Sequence, residues 1–441
     1  MGAEAPLPTE FNVKLQEPEV VTPEVAIESQ SYFLTNLDQN IASIVQTVYL
    51  FDAKSEKAGE DPAQTIKEAL RKALVHYYPL AGRLAISPEG KLHVDYSGQG
   101  VIFVAAESDA ALSAVGDVSK EDSGRLGKLV YQVPGARHLL EMPLVTAQVT
   151  KFACGGFVLG LAMNHCLFDG IGAMEFVNSW GEIARGLPLS TPPVIDRSFL
   201  KARNPPKIEC AHNEFVQIDD DTEDQTSPEG IGAVGKDIIF KTYPFSSDAL
   251  EKLKKLAMEG GELQRCSSFQ ALVAYVWRAR CQALMASPEQ KFKLLFAVDI
   301  RSRVEPPLPK GYMGNAMVFA HLLETAEELK KLSFPALVKK VQDAIADVTD
   351  KFVKSVIDYI EATRARPTLA GTLLVSSWSR LAFYVTDFGW GEPTQSGSVT
   401  LPEKEVAFFR SQGKDQKSID VVLGLPARAM EIFDQLVQPV L

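Results

Sequence analysis

Residues 143–186 read PLVTAQVTKFACGGFVLGLAMNHCLFDGIGAMEFVNSWGEIARG. Two apolar, β-branched runs meet at Gly155-Gly156, which predicts two strands joined by a tight turn. The second strand, over 157–163, delivers His165 to its C-terminal end. Small and apolar faces over 171–186 then predict a helix. Between strand and helix stands NHCLFDG, residues 164–170, in which a histidine is followed four positions later by an aspartate and a glycine. The spacing alone is a weak signal, because a turn histidine that merely satisfies its neighbours gives the same pattern.

Working outward, NIASIVQTVYLF (40–51) predicts a buried strand, and AQTIKEALRKALVHYY (63–78) an amphipathic helix that stops at Pro79 and Gly82. KLHVDY and VIFVAA predict strands about the turn SGQG. Residues 203–235 carry Pro, Gly and the acidic run 219–224 with little periodicity, and predict a long crossover. The alternation then resumes. KDIIFKTYPF, FKLLFAVDIR, TLLVSSWSRL and SIDVVLGLP predict strands; a serine-capped SSDALEKLKKLAMEG, SSFQALVAYVWRARCQAL, the run 334–364 and ARAMEIFDQLV predict helices. The expectation is an α/β protein of two similar-sized domains, 1–202 and 236–441, joined by 203–235.

The chain has 441 residues, with 45 basic against 56 acidic, a net charge of −11. That balance argues against a nucleic-acid partner. Five cysteines lack metal or redox spacing, so reduced thiols and no metal are expected. MGAEAPLPTEF shows no basic or apolar signal region, and no apolar run nears a bilayer span, so a cytosolic protein without stable membrane insertion is expected. G-x-S-x-G, G-x-x-x-x-G-K-[ST] and H-E-x-x-H are all missing. What remains is His165 as a general base, with Asp169 holding its loop by a salt bridge or turn hydrogen bond. Such a base suits an activated acyl donor. A thioester's thiolate leaves with a pKa near ~8.5, so an alcohol can attack directly and a donor group stabilises the oxyanion.

At this point the residues resemble the plant acyl-CoA-dependent acyltransferases called BAHD, over essentially the whole chain. NHCLFDG fits the family's H-x-x-x-D-G signature and DFGWG (387–391) its second one. YYPLAGRL (77–84), VDIRSRVEPPLPKGYMGNA (298–316) and LPEKEVAFF fit as well. The resemblance implies two chloramphenicol-acetyltransferase-like domains joined by the crossover loop, with the active-site channel at their interface. It implies His165 as the general base, and Trp378 with Ser376 as donors to the oxyanion. Asp169 would pair with Arg301, or else Arg303. Asp387, Gly389, Trp390 and Gly391 would form a structural turn away from the chemistry. Lys254, Arg265, Ser267 and Ser268 are the expected coenzyme A contacts, and Thr35, Asn36 and Asp38 the expected acceptor pocket.

Within the family, YFLTNLDQNIASIVQTVYLF, GGFVLGLAMNHCLFDGIGAMEFVNSWGE and IDYIEATRARPTLAGTLLVSSWSRL resemble the ω-hydroxyacid and fatty-alcohol hydroxycinnamoyltransferases of suberin, cutin and wax formation. A monomer that needs only its acyl-CoA and alcohol substrates, and no cofactor, follows. The alternatives are a shikimate, quinate or monolignol ester former and a protein that binds acyl-CoA without turnover. No arginine in the stretch 358–378 aligns with the carboxylate handle of the shikimate-type members, although Arg364 and Arg366 lie nearby.

Overall fold

A computed structural model describes residues 10–119, 123–218, 238–400, 403, 405–412 and 417–441. The acidic run 219–224 and most of the predicted crossover lie outside the described residues. The chain forms two compact units. The first comprises Met1–Lys201, Leu308–Ala316 and Leu381–Leu401; the second comprises Ala202–Pro307, Met317–Arg380 and Pro402–Leu441.

The first unit is built on a seven-stranded mixed sheet. Its order is Lys14–Leu15, Val101–Ser108, Val145–Phe152, Phe157–Asn164, Ile44–Phe51, Gln395–Ser398, with Glu19–Val21 also paired to Val101–Ser108. Val101–Ser108 runs parallel to Val145–Phe152, and the two strands of the quoted stretch form an antiparallel pair. Both faces of this sheet are covered. Tyr49, Phe51, Leu159 and Leu161 belong to one apolar cluster, while Val48, Leu50, Val158 and Ala162 belong to another. Alternate side chains of a strand point to opposite faces, so burial on both sides leaves an almost continuous apolar run in the sequence. Helices Pro62–His76 and Gly170–Ala184 share the first cluster. The Trp180 indole N–H donates to the Ile66 carbonyl at 2.8 Å, and Tyr77 and Ser179 share a hydroxyl bond of 3.0 Å.

The second unit has a six-stranded sheet in the order Ile238–Phe245, Ser418–Pro426, Val406–Gln412, Thr372–Ser377, Lys291–Asp299, Met317–Thr325. Its helices include Ser247–Ala257, Ser268–Ala283 and Ala427–Val437. The run 334–364 is two helices, Phe334–Ala346 and Asp350–Thr363. The break falls where the Thr349 side chain accepts the Phe352 N–H and caps a new start. Residues 203–218 are tied into this unit. Arg203 binds Asp358 through its backbone N–H (2.8 Å) and Nε (2.6 Å), and the buried Lys293 ammonium donates to the carbonyls of Glu214 (3.2 Å) and Val216 (2.7 Å).

The linear domain boundaries need one correction. DFGWG belongs to the first unit, not to the C-terminal one, and so does 308–316. Gln395–Ser398 pairs antiparallel with Ile44–Phe51, and Val194 exchanges backbone bonds with Gly311 (2.8 Å) and Met313 (3.0 Å). These pairings join residues more than a hundred positions apart, so no local pattern carries them.

Candidate active site

All eight residues of the strand Phe157–Asn164 are buried. It ends where the Asn164 side-chain oxygen accepts the Cys166 N–H at 3.1 Å, capping a single 3₁₀ turn, His165–Leu167. The His165 N–H donates to the Ser43 carbonyl at 2.8 Å. Asp169 then caps the helix Gly170–Ala184. Its Oδ1 accepts the Gly172 N–H (3.0 Å) and its Oδ2 the Ala316 N–H (2.9 Å). The four-residue spacing from His165 to Asp169 is therefore one tight turn plus one cap. Gly172 lets the segment carrying Asn315 approach, since a Cβ there would lie 2.6 Å from the Met313 carbonyl oxygen.

Asn315 meets His165 directly. Its Nδ2 donates to the His165 carbonyl (2.8 Å) and to Asp38 Oδ1 (2.9 Å), both pure acceptors. Turning the amide over would set its oxygen against a carbonyl and a carboxylate, so its orientation is determined. Asn315 Oδ1 consequently faces His165 Nδ1 at 3.1 Å, and an amide oxygen can only accept. Nδ1 must therefore carry the proton. Nε2 is left with its lone pair, and no hydrogen bond to it is recorded among the described residues. Burial lowers the pKa of His165, opposed by the charge of Asp169, hydrogen bonds that include that of Asn315, and the charge of Asp38. The ring is thus a neutral base at neutral pH.

Behind Asn315 lies a buried ion pair. Asp38 Oδ1 is 2.5 Å from Arg197 Nη1, and both side chains are at most 1 % exposed. Arg197 Nε donates to the Tyr32 hydroxyl at 2.7 Å, and Nη2 donates to the Leu167 carbonyl. Thr35 donates its N–H (2.8 Å) and its hydroxyl (2.7 Å) to Asp38 Oδ2. Thr35 and Asp38, expected in the acceptor pocket, are fully buried; Thr35 binds Asp38, and Asp38 binds Asn315 and Arg197. Asn36 is buried beside them. Tyr32, Arg197 and Asn315 escaped the sequence reading. Asn315 stands in the quoted YMGNA and Tyr32 opens the quoted YFLTNLDQNIASIVQTVYLF, neither with an assigned role, and Arg197 stands in no recognisable pattern.

The second signature forms a tight turn. Asp387 Oδ1 accepts the N–H groups of Gly389 and Gly391, each at 2.7 Å, and Oδ2 lies 3.6 Å from Arg185 Nη1. Phe388 packs edge-on against Phe51 and Trp180, and Trp390 edge-on against Phe157 with the Lys57 ammonium 5.3 Å from its ring. Arg185 caps the far end of the helix that Asp169 starts. Fifteen residues of helix at ~1.5 Å each put that turn roughly 20 Å from the start of the helix.

The other expected residues lie in the second unit. Trp378 follows the strand Thr372–Ser377, which contains Ser376. The Trp378 backbone N–H donates to the Phe409 carbonyl at 2.6 Å, and the Trp378 ring lies 5.3 Å from that of Phe408. Within this unit Arg301 Nη1 meets Asp299 at 2.9 Å, while Arg303 Nη1 donates to the carbonyls of Ile345 (2.7 Å) and Val348 (3.0 Å). Ser267 caps the helix that begins at Ser268. Arg265 is exposed two residues before it, and Lys254, paired with Glu251 at 2.7 Å, exerts its charge on Cys266. The four expected coenzyme A contacts therefore gather around one helix start. Arg364, a left-handed helix C-cap, and Arg366 are both exposed. Among the described residues no group of three or more His, Cys, Asp or Glu side chains is arranged to hold a metal ion.

A family model described as the Transferase family matches residues 11–438. Over 430 residues the chain is 54% identical to the omega-hydroxypalmitate O-feruloyl transferase of Arabidopsis thaliana, covering 96% of this chain and 92% of that one. It is 50% identical over 430 residues to the fatty alcohol:caffeoyl-CoA acyltransferase of Arabidopsis thaliana, covering 96% and 97%. The crystal structure of vinorine synthase superposes with a TM-score of 0.76 at 24% identity, over 97% of this chain and 98% of that one, which establishes the shared two-domain fold. From the full-length match and these relatives it follows that the chain belongs to the Transferase family, as a BAHD acyltransferase.

Proposed function

We propose that the protein transfers a hydroxycinnamoyl group (feruloyl, coumaroyl or caffeoyl) from coenzyme A to the terminal hydroxyl of a long-chain fatty alcohol or ω-hydroxy fatty acid. His165 Nε2 takes the hydroxyl proton as the alcohol oxygen attacks the thioester carbonyl. The tetrahedral intermediate collapses, the C–S bond breaks, and the thiolate leaves with the proton from His165. Trp378 and Ser376 are assigned to the oxyanion, and Lys254, Arg265, Ser267 and Ser268 to coenzyme A, on the resemblance. The observation that carries the chemistry is the bare Nε2 of a His165 whose Nδ1–H is fixed by Asn315. The substrate class is supported by the two relatives at 54% and 50% identity, whose names share a hydroxycinnamoyl donor and a long-chain hydroxyl acceptor. A cytosolic, monomeric enzyme that needs no metal or cofactor belongs to the same proposal.

A mixed-acceptor assay tests it. Each buried methylene adds up to ~0.8 kcal/mol, so catalytic efficiency should climb with alkanol length until the chain is fully bound. The ω-hydroxy acid should react at its hydroxyl. Shikimate or quinate outcompeting hexadecanol by about tenfold, a difference of ~1.4 kcal/mol, would overturn the acceptor assignment.

A further inference from the structure

We propose that Arg197 is a positioning residue for His165, acting through Asp38 and Asn315 to hold the imidazole with Nδ1 protonated and Nε2 bare. The proposal rests on His165 being the base. Arg197 grips the catalytic turn from two sides at once. Through Nη2 it holds the Leu167 carbonyl, in the same 3₁₀ turn as His165. Through Nη1 it holds Asp38, which accepts the backbone N–H of Asn315 (3.0 Å) and one N–H of its side-chain amide (2.9 Å). Its Nε donates to Tyr32, whose hydroxyl in turn donates to the Ile195 carbonyl. One planar fork thus hydrogen-bonds the Leu167 carbonyl and the Tyr32 hydroxyl while its Nη1 is ion-paired with Asp38, a geometry that an ammonium group does not reproduce. The chain makes room for it: a Cβ on Gly314, the residue before Asn315, would lie 2.8 Å from Arg197 Nη1.

The arrangement is electrostatic as well as steric. The charges acting on His165 within this unit are those of Asp169 and Asp38, both of which favour its protonated form. Asp38 is in turn neutralised by Arg197, with Tyr32 and Tyr312 also near the guanidinium. Burial opposes the charge of Arg197, but Asp38, Tyr32 and Tyr312 outweigh it and keep the guanidinium protonated. Arg197 therefore spares His165 the full effect of a buried carboxylate while keeping the Asn315 amide turned the right way.

The test uses the full chain, with imidazole ¹⁵N spectra of the free protein, assigned against His165→Gln, and pH profiles of kcat/KM. Wild type should show Nδ1 protonated. Asp38→Asn should blur that tautomer and move the His165 titration to lower pH. Arg197→Met should move it to higher pH, because Asp38 is left uncompensated. Arg197→Lys should hold the titration near wild type yet lose activity, about 10²-fold for a ring displaced by about an ångström. If Arg197→Met does not fold, Arg197→Lys and Asp38→Asn decide the matter. A merely structural role would produce no opposite shifts. A tautomer and titration indifferent to Asp38→Asn, or shifts of the same sign in Asp38→Asn and Arg197→Met, would overturn the proposal. A wild type that shows the whole pattern but transfers no acyl group would defeat the acyl-transfer reading alone and still support the positioning of the ring.

Discussion

Replacing Asn315 by leucine keeps the number and branching of the side chain's heavy atoms and removes three hydrogen bonds. One goes to the Asp38 carboxylate at 2.9 Å, one to the His165 carbonyl at 2.8 Å, and one links Oδ1 to His165 Nδ1 at 3.1 Å. A bond to a charged group is worth about 1.5–3 kcal/mol and a neutral one about 0.5–1.5. The sum is about 2.5–6 kcal/mol. The lower end is the better expectation, since Asp38 keeps Arg197 and the Asn315 backbone N–H, and the His165 carbonyl keeps the Phe168 N–H. The rate effect has two parts. Losing an acceptor worth ~1 kcal/mol lets the Nε2–H tautomer compete, a several-fold loss of the reactive form. Loss of orientation adds up to about 10²-fold. Together kcat should fall by about 10²–10³-fold with KM nearly unchanged, because Asn315 is not assigned to either substrate. Asn315→Asp sharpens the test. It still offers His165 an oxygen, but it faces Asp38, and two adjacent carboxylates cannot both ionise cheaply. It should retain more activity than leucine and show a pH dependence that wild type lacks. Steady-state kinetics with urea unfolding measures both effects. A leucine variant within threefold of wild-type kcat and within about 1 kcal/mol of its stability would refute the reasoning.

His165→Ala should lower kcat/KM by about 10²–10⁴-fold while the melting curve stays cooperative. Since burial lowers the pKa of His165, the acid limb of the kcat/KM profile should fall below 6.5. In the same window the unfolded chain holds the extra proton, so this group's contribution to stability is lost as pH falls from 6.5 through the folded-state value; an acid limb above 6.5 contradicts the assignment. Asp169→Ala removes a helix cap and orphans the Ala316 N–H, a loss of about 2–4 kcal/mol visible in a denaturant midpoint. Burial lowers Lys293 from 10.5 to about 8, so between those values the unfolded chain binds more protons and the folded state gains stability as pH rises. Lys293→Met should melt lower at pH 7, and its stability deficit should widen up to pH ~10.5; a constant deficit would count against the buried ammonium.

Local pattern determined a good deal of this protein. Periodicity marked the strand Phe157–Asn164 and the helix Gly170–Ala184, because burial on one stripe or on both faces leaves a trace in neighbouring residues. It placed His165 at the end of the strand, and the two signatures carried the family. It blurred the run 334–364, where the stop between two helices depends on a Thr349 cap rather than on a change of period. The surroundings of His165 were beyond it. Asp38, His165, Arg197 and Asn315 come from four separate stretches, and each alone is an ordinary polar residue. The turn Asp387–Gly391 could be named from its letters, but its place in the first unit depends on a β-pairing more than three hundred residues back along the chain. The sequence singled out His165 as the candidate base. Only the tertiary structure decided which of its nitrogens is bare, because the proton on Nδ1 is set by an amide that a distant carboxylate holds in place.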